Sequence, residues 1–117
     1  MRLAALRRFC LALPGATETV QWGEDRVYKV GGKMFAVCGM DGRRLRGLSI
    51  KVSDDSAMIL TRLPGIIPAP YLARAGWVRL DRLDRLPPDQ LRGYVRRSHA
   101  LVVAGLPRRV REGLGAA

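Results

Sequence analysis

Arginine is the residue type with which this sequence could do chemistry. It comes in clusters: Arg2, Arg7 and Arg8; Arg43, Arg44 and Arg46; Arg92, Arg96 and Arg97; Arg108, Arg109 and Arg111. Lysine and arginine together number 21 against 10 acidic residues, a formal net charge of +11, and only Lys29, Lys33 and Lys51 are lysines. A guanidinium is a planar fork that matches phosphate geometry. A surplus of this size sets up a positive field that draws polyanions in. The chemistry on offer is therefore phosphate neutralisation, which positions a nucleic acid without reading its bases. Arg92 and Arg96 are spaced to project together from a helix. Neutralising four or five phosphates of duplex DNA would give a log–log salt slope of about −4. The plain alternative is solvated polar surface on an arginine-rich domain.

Other chemistries have less to build on. His99 is the single histidine and has no partner visible in the sequence. Ser49, Ser53, Ser56 and Ser98 lack a nucleophile motif. Asp81 and Asp84 could pair as acid and base, yet strand-edge and turn roles explain them. Cys10 and Cys38 lie far apart and outside any CxxC pair. With one histidine they supply too few ligands for tetrahedral zinc, and they read as buried thiols of a reducing compartment. Gly31 and Gly32 lack the surroundings of a phosphate-binding loop. No catalytic residue, metal or cofactor is expected. Trp22, Tyr28, Phe35, Tyr71 and Trp77 are of the type that stacks on unpaired bases, although the apolar neighbours of Phe35 place it in the core and the other four more often serve as core or partly buried supports.

The elements that must carry these residues fit one domain. The chain has 117 residues, 48% of them apolar, and such a chain buries roughly two-thirds of the surface it exposes unfolded. No apolar run approaches the roughly 18 residues of a membrane span. Arg7 and Arg8 interrupt what would be the apolar stretch of a signal peptide, so a cytoplasmic location is expected. Leu3, Leu6, Phe9, Cys10 and Leu13 fall at helical spacing over residues 2–13, and Pro14-Gly15 ends that helix. Short strands follow over 19–22, 26–30 and 33–38. The last pair is joined by Gly31-Gly32, a loop suited to turns that need positive φ at both central positions. A charged, glycine-rich loop is expected over 39–44 and a further strand from 45 or 46 to 52. Ser53 caps a second helix with Asp54 and Asp55 in its first turn. The stretch 65–70 should be irregular and 77–83 extended, with Trp77 and Arg79 on one face and Val78 and Leu80 on the other. Pro88 opens a long helix in which Arg92, Arg96 and His99 line a polar side that Arg97 extends. Gly105 and Pro107 close it, and the basic tail from about 108 forms a short helical turn before fraying. Helix, meander of strands, helix, strand, helix favours an α+β layer arrangement over alternating α/β.

Several segments also resemble, in order, the MmcQ/YjbR family of small bacterial proteins. The run Lys29-Val30-Gly31-Gly32-Lys33-Met34-Phe35-Ala36 is similar to its signature. Leu13-Pro14-Gly15 with Glu18, Gly23-Glu24, Ile50-Lys51-Val52, Pro70-Tyr71-Leu72 with Gly76-Trp77, and Ser98 with 101–107 fit the same pattern, so the resemblance spans nearly the whole chain. It implies a CyaY-like antiparallel sheet packed against helices, often described as a double-wing arrangement. The family is commonly labelled DNA-binding, and Lys29, Lys33 and Lys51 are the basic positions that match its pattern. His99 departs from it, standing where members commonly have a tyrosine. Frataxins, which share the fold type, are linked to iron through an acidic surface. The first helix here has no acidic residue, so iron is not expected. The candidate phosphate-binding set is Lys29, Lys33, Arg43, Arg44, Arg46, Lys51, Arg92, Arg96, Arg97, Arg108 and Arg109. The expected partner is DNA held without sequence preference. The alternative is a noncatalytic module for an acidic protein or a small anionic ligand.

Overall fold

A computed structural model of the chain describes residues 1–114. Helix α1, Leu3–Ala12, buries Leu6 and Cys10, one turn apart on its inner side. It ends where Leu13 turns extended and Pro14-Gly15 redirect the chain, Gly15 at φ +70. Four strands then run as a meander: β1 Ala16–Gln21, β2 Asp25–Val30, β3 Lys33–Asp41 and β4 Arg44–Lys51. The β2–β3 turn is built as its two glycines require, with Gly31 at φ +58, Gly32 at φ +80, and Val30 paired with Lys33. Helix α2, Asp54–Leu60, starts at Ser53, whose hydroxyl accepts the Ser56 N–H at 3.2 Å. Strands β5, Ile66–Pro68, and β6, Trp77–Leu80, follow, separated by a short 3-10 turn at Ala73–Ala75. A second such turn at Leu83–Arg85 leads into α3, Pro88–Ala104, and α4, Arg108–Leu114, closes the described chain. The basic tail expected to fray from about 108 is helical that far, and residues 115–117 lie outside the described residues.

The six strands form one antiparallel sheet in the order β1-β2-β3-β4-β6-β5, so the expected α+β architecture is the observed one. The strand expected over 19–22 starts earlier, at Ala16, the extended stretch expected over 77–83 stops at Leu80 before a 3-10 turn, and two further boundaries differ for identifiable reasons. The loop expected over 39–44 shrinks to a turn at Gly42-Arg43, because the hairpin continues through a bulge at Gly39/Met40. Acids of the β1–β2 corner hold it there: Asp25 Oδ1 accepts the Met40 N–H at 2.9 Å and Glu24 Oε2 the Gly42 N–H at 2.6 Å. The irregular stretch over 65–70 contains β5, an edge strand whose terminal Pro68 costs no ladder bond.

Helices α1 and α3 cover one face of the sheet. Leu6, Cys10, Tyr28, Phe35, Leu48, Ile50, Leu80, Leu91 and Val95 form the main core between them. Ser98 locks α3 to the strands. Its hydroxyl donates to the Phe35 carbonyl at 2.6 Å and accepts the Lys51 N–H at 2.9 Å. The other face keeps a smaller cluster of Val27, Val37, Ala69 and Trp77, with Met34 and Leu72 against it, where the segment after β5 folds over the strands. The rest of that face carries no helix and holds a groove.

Candidate nucleic-acid interface

Register decides what the helix-free face presents. Val27, Val37, Ser49, Arg79 and Ile67 lie in one row across β2, β3, β4, β6 and β5. One step along, Gly39 of β3 stands opposite Gly47 of β4, two positions that project no side chain of their own. A groove of about 740 Å³ opens there. Met34, Val37, Gly39, Gly47 and Ser49 line it along the strands, Asp25, Arg46 and Arg79 supply its charges, and Trp22, Pro70, Tyr71 and Leu72 complete it.

The arginines are seated by the strands beneath them. Arg79 donates from Nη2 to the Arg46 carbonyl at 2.7 Å. Its guanidinium lies against Gly47, where a Cβ would stand 2.6 Å from Arg79 Cζ, so glycine is what allows the close approach. Arg46 faces Asp25 across 3.6 Å, with its own side chain 58% exposed. The Asp25 side chain is only 15% exposed, and the 3.6 Å separation makes this a long ion pair whose arginine end stays open to a further anion. The aromatics are placed by turns: Trp22 at φ +52 in the β1–β2 corner and Tyr71 at φ +66 between β5 and the 3-10 turn. Both are exposed, Trp22 at 64% and Tyr71 fully.

The other candidate cations do not converge on one spot. Lys33 and Lys51 share a crevice at the strand ends beside Leu101 and Leu106, and Met34 borders both this crevice and the groove, so the two places adjoin. Lys51 also lines a neighbouring apolar crevice with Arg97, whose guanidinium lies 4.5 Å from the centroid of the Tyr94 ring. Lys29 pairs with Met34 in register. Arg43 and Arg44 sit at the far end of β3 from Lys33, and Arg44 borders a crevice with Arg2 and Arg82 in which Asp81 and Asp84 also stand. Arg92 is paired with Asp89, while Arg96 lies over Phe9 of α1, 5.3 Å from its ring centroid. Arg108 is paired with Glu112 on α4, which also carries Arg109. Arg7 is held by Glu18 at 3.1 Å and binds α1 to β1.

The sequence names Arg46 and offers Trp22 and Tyr71 as stacking candidates while favouring core or partly buried roles for them, which their exposure overturns, and it misses Arg79 as a site residue. Its signal is the expected alternation that puts it beside Trp77; its neighbours across the sheet emerge only with register. His99 does not join the polar side of α3. It is buried edge-on against Phe35, with ring centroids 5.1 Å apart, and its Nε2 donates to the Pro14 carbonyl at 2.8 Å. A carbonyl only accepts, so that nitrogen carries the proton. Asp81 and Asp84 are each committed to an arginine. The hydrogen bond from Arg85 holds the Asp81 carboxyl below its usual range, and that from Arg82 does the same for Asp84. Cys10 and Cys38 are buried free thiols. Among the described residues no three His, Cys, Asp or Glu side chains gather as a metal site, and no helix is long and apolar enough to cross a membrane.

A family model described as YjbR matches residues 11–101. The Deinococcus radiodurans protein DR2400, described as a DUF419 domain, is similar in structure, with a TM-score of 0.84 and 29% identity over 97% of this chain and 87% of that one. A protein from Pseudomonas syringae shares the fold with a TM-score of 0.68 and 17% identity, over 86% of this chain and 98% of that one. No curated protein matches the chain.

Proposed function

The chain belongs to the YjbR family, and from that premise we propose that it is a noncatalytic nucleic-acid-binding protein that holds the sugar–phosphate backbone without sequence preference. The observation that carries this reading is the pair Arg46 and Arg79 in the groove of the helix-free sheet face, on a chain of net charge +11. Lys33 and Lys51 adjoin the groove through Met34 and extend the same basic track. Lys29, beside Met34 in register, belongs to the same side of the proposal. Arg43, Arg44, Arg92, Arg96, Arg97, Arg108 and Arg109 contribute through the long-range field, which speeds encounter with a polyanion. DNA is the expected ligand. A cytoplasmic site of action fits two cysteines that are buried and unpaired.

The test is a titration of labelled DNA, single-stranded and duplex, across a range of salt. Binding is expected to weaken as salt rises, with a log–log slope of about −0.7 per neutralised phosphate on single strands. Replacing Arg46 and Arg79 together by alanine should reduce both affinity and slope. Absence of binding at low salt rejects the reading. The alternative, a protein-interaction module, has an observation of its own: Met58 and Ile59 of α2 are 62% and 61% exposed. A defined stoichiometric partner that survives nuclease treatment and is lost on Met58→Ser/Ile59→Ser would favour it.

A further inference from the structure

We infer that the groove takes an unpaired base of a single strand, stacked on Trp22 and Tyr71, with the flanking phosphates on Arg46 and Arg79. This rests on the nucleic-acid reading and narrows it from any phosphate backbone to strands whose bases are free.

The two aromatics are difficult to explain by folding. Trp22 and Tyr71 come from segments far apart in the chain yet border one groove. Their exposure removes most of the benefit an aromatic gains from burial. Both also hold left-handed backbone, at φ +52 and +66, which disfavours bulky side chains and which glycine or asparagine adopts more readily. Two positions that fold more easily as glycine or asparagine instead present large flat rings beside the same cavity. Strain retained in this way marks positions whose side chain serves a surface role.

The rest of the groove suits a flat, anionic occupant. Gly39 opposite Gly47 makes room for the Arg79 guanidinium to lie on the floor, and Val37 and Met34 give the groove an apolar continuation. Its volume of about 740 Å³ falls in the range of sites that enclose one small organic group. Arg46 and Arg79 supply the charge complement, while Asp25 holds Arg46 only through a long contact whose arginine side is exposed. A duplex keeps its ring faces inside the stack and offers the groove only edges and phosphates, whereas a single strand offers the ring faces themselves.

The experiment uses the full chain and three probes: an oligothymidylate, an abasic oligomer of equal length, and a duplex. Trp77 is buried, so quenching of the accessible Trp22 emission reports stacking. The oligothymidylate should bind roughly tenfold tighter than the abasic strand and quench Trp22, which the abasic strand does not. Trp22→Asn and Tyr71→Asn should each weaken oligothymidylate binding roughly tenfold more than duplex binding, with the melting temperature kept or raised. Asparagine accepts the left-handed backbone, so these variants report on the ring rather than on folding. Equal binding of thymidine and abasic strands, or variants that lose no preference for the single strand, would overturn the inference while leaving nonspecific nucleic-acid binding intact. Thymidine monophosphate, titrated separately from these three probes, should bind more weakly than the oligomer, and binding as tight as the oligomer's would overturn the assignment to a strand. Failure of all three probes to bind would instead remove the underlying function.

Discussion

At the scale of single residues, the buried side chains of Ser98 and His99 are spent on holding the molecule together. Ser98 bridges Phe35 and Lys51 where β3 and β4 stop pairing, and His99 fastens α3 to the turn after α1 through the Pro14 carbonyl. The two thiols make a pH dependence that can be measured. Burial pushes both Cys10 and Cys38 up from 9.0 to about 12, with Cys38 adding to the rise at Cys10. The unfolded chain thus gives up these protons near pH 9 while the native chain keeps them. Their contribution to stability is complete below pH 9 and declines as pH rises toward 12, approaching about 1.4 kcal/mol per pH unit for each thiol. Urea unfolding at pH 8 and pH 10 should show the native chain losing about 2–3 kcal/mol more between the two than the Cys10→Ala/Cys38→Ala variant. An equal loss in both would mean that the thiols ionise freely in the folded state. The tyrosines and lysines common to both proteins cancel in this comparison.

At the scale of elements, glycine chemistry separates what the sequence makes legible from what it does not. Gly31-Gly32 between two apolar runs specifies its own turn, since both residues hold positive φ and the strands on either side pair as expected. Ser53 ahead of Asp54 and Asp55, and Pro88 ahead of Asp89, mark helix starts by equally local means. Gly39 and Gly47 carry no such label. They read as loop and strand residues until β3 and β4 are aligned, and the Asp25 and Glu24 contacts that prolong the hairpin join positions remote in sequence. The groove is hidden for the same reason: its arginines come from β4 and β6, and its aromatics from two separate turns.

Two alanine substitutions should therefore behave in opposite ways. At Gly31 a Cβ would stand 2.6 Å from Leu106 Cδ1, inside packed surroundings and on a φ of +58. Gly31→Ala should destabilise the fold by about 1–2 kcal/mol from backbone conformation alone. At Gly47 the obstacle is the guanidinium of Arg79, the movable end of a long side chain, and φ is not in the left-handed region. Gly47→Ala should cost only the Arg79–Arg46 carbonyl bond, about 0.5–1.5 kcal/mol, while unseating Arg79 and weakening single-strand binding. Chemical denaturation beside a DNA titration on both variants checks the contrast, and a Gly47→Ala protein with unchanged DNA affinity would place Arg79 outside the binding site.

At the scale of the whole molecule, charge and site come apart. The described chain measures 39 × 32 × 27 Å, and its cations occupy the groove, the strand ends near Lys33 and Lys51, the far β3–β4 turn, and α3 and α4. No single straight backbone touches all of them, so much of the +11 charge acts at a distance. Salt distinguishes the two roles, because the screening length is about 30 Å at 0.01 M and about 8 Å at 0.15 M. Arg46→Ala/Arg79→Ala and Arg92→Ala/Arg96→Ala remove equal charge, the first from the groove and the second from α3, where Arg96 lies over α1. Near 0.01 M both double variants should slow association with single-stranded DNA by similar factors, since the field reaches across the molecule. Near 0.15 M the α3 variant should bind like the parent, while the groove variant should remain weakened roughly tenfold or more, about 1.4 kcal/mol or above, for two lost charge-assisted contacts. Association and equilibrium titrations at the two salts decide it. An α3 variant as defective as the groove variant at 0.15 M would mean that DNA is held by overall charge, with no privileged face.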